Sequence, residues 1–170
     1  MTKRLGLSAT VAAQIARYRT AGERDGTVSR DEAASVFTLV GRRPDAELVF
    51  ADAGRRAARY AARRVGSSAL AKVAPSAVGR RLAARAARGA ARETFGGELR
   101  FPGGLAEARM PDAVAIAAWP GGEACRFHTA AFAELLRLLI GFEGLMQHES
   151  CRGRGDPECL WRAAPAGPYE

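Results

Sequence analysis

Between Pro44 and Glu93 alanine and arginine dominate the chain and fall on opposite sides of a helical period, a pattern that limits the fold more than any other feature. A helix opened by Pro44 and Asp45 and running to about Val65 turns Leu48, Val49, Ala53, Ala57, Tyr60 and Ala61 inward, and Arg55, Arg56, Arg59, Arg63 and Arg64 outward. Gly66 to Ser68 breaks the pattern. A second helix from Pro75 to about Glu93 then sets Val78, Leu82, Ala86 and Ala90 inside against Arg81, Arg85, Arg88 and Arg92 outside. Alanine faces bury little area each but let helices approach closely. With aromatic residues at only 7%, the core must combine tightly packed helices with a few large anchors.

The flanking segments supply the other layer. Ser8 caps a helix to about Ala21 that carries Val11, Ile15 and Tyr18, and Ser29 with Glu32 forms a capping box ahead of a short helix ending near Gly41. After Gly96 and Gly97 the texture changes: Glu98 to Phe101 and Asp112 to Trp119 read as strands separated by a loop from Pro102 to Pro111. His128 to Ile140 is a helix with Phe132, Leu135, Leu136 and Leu139 on one face. A strand from Phe142 to Glu149 and another from Glu158 to Ala163 follow, joined by a loop with Gly153, Gly155, Asp156 and Pro157. Helices first, strands later, predicts an α+β fold with helices packed on one face of an antiparallel sheet. The N-terminal helical segment, 1–40, forms one compact unit with a ligand-binding domain at 41–164, and 165–170 is a frayed tail.

A length of 170 residues with 48% hydrophobic positions fits one domain. The longest apolar run, Ala113 to Trp119, is far short of the about 18–20 residues that span a bilayer. Lys3 and Arg4 precede no apolar segment of signal-peptide length, which predicts a cytoplasmic protein. The formal charge of +8 comes almost wholly from arginine, since Lys3 and Lys72 are the only lysines. It permits nucleic acid, an anionic membrane surface or acidic small molecules as partners. Nucleic acid ranks last, because the arginines are not interleaved with aromatic residues and no recognised module is present.

All three cysteines fall in the last third of the chain, with the spacing Cys125-x22-His148-x2-Cys151-x7-Cys159. Three thiolates and an imidazole suit a tetrahedral zinc ion. Cys151 and Cys159 flank a turn that brings their sulfurs together, and Cys125, at the start of a helix, closes the site from the other side. The plain alternative is three buried thiols. His128, in Cys125-x-x-His128, and Glu149 are rival fourth ligands. Strand alternation puts His148 and Glu149 on opposite faces, so only one of the two aims at the site.

The run from Cys125 through Phe132, Leu135 and Leu136, followed by His148-Glu149-Ser150-Cys151-Arg152-Gly153-Arg154-Gly155-Asp156-Pro157-Glu158-Cys159-Leu160-Trp161, resembles the 4-vinyl reductase domain family. It is most similar to the bacteriochlorophyll 4-vinyl reductase branch. The likeness covers Cys125 to Ala163 specifically and extends loosely over Arg80 to Phe101, while the first 40 residues match weakly. It implies the Golgi-transport/NO-signalling ligand-binding fold, shared with Golgi-tethering subunits and with the aromatic-sensing domains of phenol-responsive activators. Those sensing domains carry zinc on three cysteines and a glutamate at the same spacing. Here His148 stands at the glutamate position. The resemblance implies a structural zinc, with no ligand position left open.

The resemblance also implies a small molecule between helices and sheet, walled by aromatic residues among Phe37, Phe50, Tyr60, Phe95, Phe101, Trp119, Phe127, Phe132 and Trp161. The arginine faces offer bidentate partners for carboxylates, or are solvated helix surface. No dinucleotide, P-loop or flavin fingerprint is present, so NADPH enters only if the protein is a reductase, and no residues are assigned to catalysis. The expected function is binding of a vinyl-bearing protochlorophyllide or chlorophyllide in bacteriochlorophyll biosynthesis, as reductase or as carrier. The expected partners are a second copy of the chain and other pigment-biosynthesis enzymes. The alternative is a stand-alone sensing or dimerisation module for an aromatic or hydrophobic effector.

Overall fold

The computed structural model describes residues 28–66 and 76–165, together with 13, 16, 17, 19 and 20. Most of the helix expected over 8–21 therefore lies outside the described residues, as does the tail after Pro165; the five described positions of that helix are helical and exposed. The elements in order are α1 (Arg30–Gly41), α2 (Ala46–Arg64), α3 (Ala77–Phe95), β1 (Glu98–Arg100), β2 (Glu107–Met110), α4 (Val114–Ala118), α5 (Arg126–Ile140), β3 (Gly144–Ser150) and β4 (Cys159–Pro165). The fold is α+β. Among the described residues no helix is long and apolar enough to cross a membrane.

The capping box forms at α1: the Glu32 N–H donates to Ser29 Oγ at 3.2 Å and the Ser29 N–H donates to the Glu32 carboxylate at 3.1 Å. The helix is held by Phe37, whose ring lies 5.2 Å from that of Phe50 and 5.0 Å from that of Phe127, and by an ion pair from Arg30 to Asp112.

The two arginine-faced helices are present, and Ala61 and Ala90 are buried as expected, but the rest of each buried stripe is displaced from the one expected. α2 buries Phe50, Gly54, Ala58, Ala61 and Ala62, leaving Leu48 and Tyr60 75% and 58% exposed. α3 buries Gly79, Ala83, Ala87, Ala90 and Ala91, leaving Val78 and Leu82 66% and 47% exposed. The reason is closeness of approach. A Cβ on Gly54 would overlap the Phe127 carbonyl oxygen and sit 3.1 Å from the Ala131 amide nitrogen, so α2 meets α5 backbone to backbone. Only a stripe of glycine and alanine permits that separation.

The four strands form one antiparallel sheet in the order β1-β2-β4-β3. Leu99, Ala108, Trp161 and His148 lie in register across it, and Leu99, Ala108, Trp161, Met110, Met146, Cys159 and Ala163 face the helices from the buried side. The opposite side is an ion-paired lattice. Glu107 takes Arg109 at 2.7 Å and Arg162 at 3.0 Å, Arg109 also reaches Glu158 at 2.9 Å, and Arg162 reaches Glu149 at 2.6 Å. Two segments depart from expectation. The loop expected over 102–111 contains β2, whose inward Ala108 and Met110 alternate with Glu107 and Arg109. The strand expected over 112–119 is instead the short helix α4, which buries Ala115 and packs beside α1.

A buried carboxylate helps fix α2 on α5. Glu134 accepts from Arg59 at 2.7 Å and from Arg137 at 2.8 Å, and Arg137, then Arg59, hold its carboxyl down at about 2 against the cost of burial. Its native pKa is depressed, so its contribution is complete above the unfolded value of 4.5 and is lost as pH falls towards 2. Both arginines are half exposed, so we expect Glu134→Gln to cost only about 1–2 kcal/mol at neutral pH. The difference from wild type should close as urea melts are repeated from pH 5 to about pH 2. Gly54→Ala should destabilise by about 2–4 kcal/mol through overpacking. Gly89→Ala, where an added Cβ meets nothing within 4 Å, should be neutral or stabilising by up to about 1 kcal/mol in the same assay.

Candidate metal centre

Cys125, His148, Cys151 and Cys159 come together where the start of α5 meets the β3–β4 hairpin, and one ligand atom from each lies within 4.8 Å of the others. A tetrahedral ion at about 2.0–2.3 Å from each donor spaces its ligands roughly 3.3–3.8 Å apart, so a small contraction closes the shell. The three cysteines are buried and none is in a disulfide.

Each ligand is placed by local chain chemistry. Cys125 caps α5 through a 3-10 turn, its N–H donating to the Gly122 carbonyl at 3.0 Å and its carbonyl accepting from Thr129 Oγ1 at 3.2 Å. Thr129 in turn accepts from Trp161 Nε1 at 2.8 Å, tying the helix to β4. His148 stacks on Trp161, its cross-strand partner, with rings 4.5 Å apart and 10° from parallel. The next residue, Glu149, falls at a shift in register between His148 and Ser150. Such a bulge turns the strand just before Cys151. The Cys151 N–H donates to Asp156 Oδ2 at 2.6 Å, closing the Cys151 to Asp156 loop, and the Arg152 N–H donates to Cys159 Sγ at 3.4 Å. Gly122 and Gly153 let the two loops meet. Gly122 has φ +88°, and a Cβ there would lie 2.6 Å from Cys151 Sγ; a Cβ on Gly153 would overlap the Pro120 carbonyl oxygen. Gly122, Gly153, Asp156 and Thr129 are supporting residues that spacing alone did not single out. Their signals were the Pro120-Gly121-Gly122 turn and an aspartate five residues after a cysteine.

The electrostatics fit a soft divalent ion. Cys125 draws the neighbouring Cys159 thiol down, with His148 and the Arg152 N–H assisting against burial. The neighbouring Cys159 sulfur, burial and Cys151 push Cys125 up. Among the described residues the only buried side-chain nitrogen or oxygen atoms without a hydrogen-bond partner are His148 Nε2 and His128 Nδ1. Thiolate sulfurs and an unpartnered imidazole are the donors that a soft divalent ion takes, and the set is compatible with zinc.

The rival ligands lie apart from this cluster. Glu149 is exposed and paired with Arg162 on the outer side of the sheet. His128 is buried among the rings of Phe127, Phe132 and Trp161 and is kept neutral, its pKa lowered to about 3 chiefly by burial and then by His148. Tyr60, expected on the inner stripe and among the pocket walls, is exposed on α2, and Tyr18 lies outside the described residues.

A cleft of about 640 Å³ opens beside the centre, between α2, α5 and the edge strand β3. Ala51, Ala130, Ala133, Leu145 and Met146 give it an apolar floor. Glu47, Arg55, Glu123, Arg126 and Arg154 stand around it, and His148 lines it as well as the metal cluster. The aromatic residues expected as its walls lie elsewhere. Phe95, Phe127, Phe132 and Trp161 are linked ring to ring inside the fold, and Phe101 lies under the Arg88 guanidinium at 5.2 Å. Trp119 borders a smaller cavity of about 290 Å³ with Gly41, Pro44 and Phe50.

Cys151→Ser or Cys159→Ser should abolish metal uptake by elemental analysis and lower the Tm by about 10 °C or more, because metal-binding energy is folding energy at such a site. His148→Ala should weaken metal retention against a chromophoric chelator more than His128→Ala or Glu149→Ala, and the reverse order would reassign the fourth ligand. Compared with models of known protein families and with curated proteins, the chain finds no significant match.

Proposed function

We propose that the protein binds a vinyl-bearing tetrapyrrole of the protochlorophyllide or chlorophyllide class in the cleft beside the metal centre, and that a structural zinc on Cys125, His148, Cys151 and Cys159 holds the wall of that cleft. The observation that carries the reading is the cleft itself. Its volume falls in the range of about 300–1,000 Å³ usual for small-molecule sites. It offers an apolar floor to a flat macrocycle and guanidinium groups to a carboxylate: among the described residues Arg154 and Arg55 form no ion pair, Arg55 acting on Asp52 only at longer range, and Arg126 meets Glu47 only at 3.7 Å. A guanidinium takes a carboxylate through two parallel hydrogen bonds. The zinc, with all four positions taken by protein, would supply cross-linking rather than chemistry.

Reduction of a vinyl group needs a hydride and a proton. The chain carries no nucleotide fingerprint to hold a hydride donor, so the residues support binding and delivery better than catalysis. A second reading, a sensing module for a hydrophobic effector, is favoured by one feature: His148 belongs to both the cleft and the metal cluster, so an occupant of the cleft would touch the cross-linked hairpin directly.

Absorbance titration with divinyl protochlorophyllide tests the proposal. A saturable red shift is expected, weakened about tenfold or more by Arg154→Ala through loss of a charge-assisted pair. A shift unchanged by NADPH means a carrier, and loss of the vinyl signature on adding NADPH means a reductase. No shift overturns the tetrapyrrole reading.

A further inference from the structure

We propose that the outward face of α3 docks the protein on the surface of an anionic lipid bilayer. At about 100° per residue, Arg81, Arg85, Arg88 and Arg92 fall within an arc of about 60°, opposite the buried Gly79, Ala83, Ala87, Ala90 and Ala91. The sole carboxylate of α3 is Glu93, about 80° outside that arc. The burial pattern therefore turns a row of guanidinium groups directly to solvent.

Two observations separate this row from ordinary arginine surface. The first is that its charge is uncompensated. Many arginines elsewhere meet acids: Arg109 and Arg162 meet Glu107, Arg59 and Arg137 meet Glu134, Arg152 meets Asp112, and on α2 Asp52 pairs with Arg56 and acts on Arg55 and Arg59. Among the described residues Arg81, Arg85, Arg88 and Arg92 form no ion pair, and Arg88 lies over the Phe101 ring. The second is that the row is bordered by Val78 and Leu82, the exposed apolar side chains that helix packing rejected. Guanidinium groups beside exposed aliphatic side chains on one helix face match the interface of an anionic bilayer, where phosphates take the cations and the acyl boundary takes the apolar groups. A nucleic acid would use the charge but gain nothing from Val78 and Leu82. No residue of α3 lines the cleft, so bilayer docking and cleft occupancy are compatible.

Co-sedimentation with sucrose-loaded vesicles tests the proposal. At about 0.15 M salt the protein should partition at least about tenfold more strongly into vesicles of equal parts phosphatidylglycerol and phosphatidylcholine than into phosphatidylcholine alone. Arg81→Glu with Arg85→Glu should abolish the difference, while Arg63→Glu with Arg64→Glu, the same charge change on α2, should keep most of it. Val78→Ser with Leu82→Ser should lower partitioning about threefold or more at constant charge. Circular dichroism establishes that each variant is folded. Equal loss from the α2 and α3 charge variants overturns the proposal in favour of diffuse attraction. Wild-type partitioning by the Val78 and Leu82 variant, or binding to a single-stranded oligonucleotide that exceeds vesicle binding and is lost with the α3 arginines, overturns it in favour of a nucleic-acid surface.

Discussion

The close contact between α2 and α5 at Gly54 sets the rest of the molecule. Because the Phe127 carbonyl lies where a side chain would otherwise begin, α5 is drawn against α2 along a stripe of glycine and alanine. That draws in the residues α5 carries at its start: Cys125, which opens the helix, Phe127, which meets Phe37 and Phe95, and Thr129, which receives the Trp161 indole. Glu134, one face further along, anchors the same pair of helices from the other end with Arg59. The metal cluster and the cleft are thus both consequences of how near two helical backbones come.

The sheet answers this with two unlike faces. Towards the helices it presents Leu99, Ala108, Met110, Met146, Trp161 and Ala163. Towards solvent it presents carboxylates and guanidinium groups in alternation across the strands, with Glu107 shared between Arg109 and Arg162. His148 stands at the boundary. Its ring is stacked on the buried Trp161 while its neighbour Glu149, at the bulge, belongs to the charged lattice. The last turn of chain before α5 and the loop after β3 then meet at Gly122 and Gly153, so two segments distant in sequence are joined by loop contact as well as by the cysteines.

Local chemistry was legible in the sequence and closeness was not. The Ser29–Glu32 box, the cysteine-flanked hairpin and the opposite orientation of His148 and Glu149 each rest on a few neighbouring residues and are found in the structure. The phase of α2 and α3 was misjudged because a hydrophobic pattern favours Leu48, Tyr60, Val78 and Leu82, whereas close packing selects the small residues beside them. β2 and α4 were exchanged with loop and strand because a strand is defined by a distant partner, in β2 the C-terminal β4. The lining of the cleft is hard to read from sequence for a related reason. It mixes alanine, arginine and one edge strand, while the large aromatic rings went to the interior.

The position of β4 has a consequence for how the chain assembles as it is made. β4 follows β3 in sequence yet lies between β2 and β3, and it carries both Cys159 and Trp161. A nascent chain that has not yet released β4 holds β1 and β2 as an isolated pair, β3 with no neighbour, and three of the four metal donors. Helical contacts such as those of α2 with α5 can form early, but the sheet and the candidate metal cluster are completed together by the same seven residues. Until then β2 and β3 expose unpaired edges, the condition under which other chains compete for them.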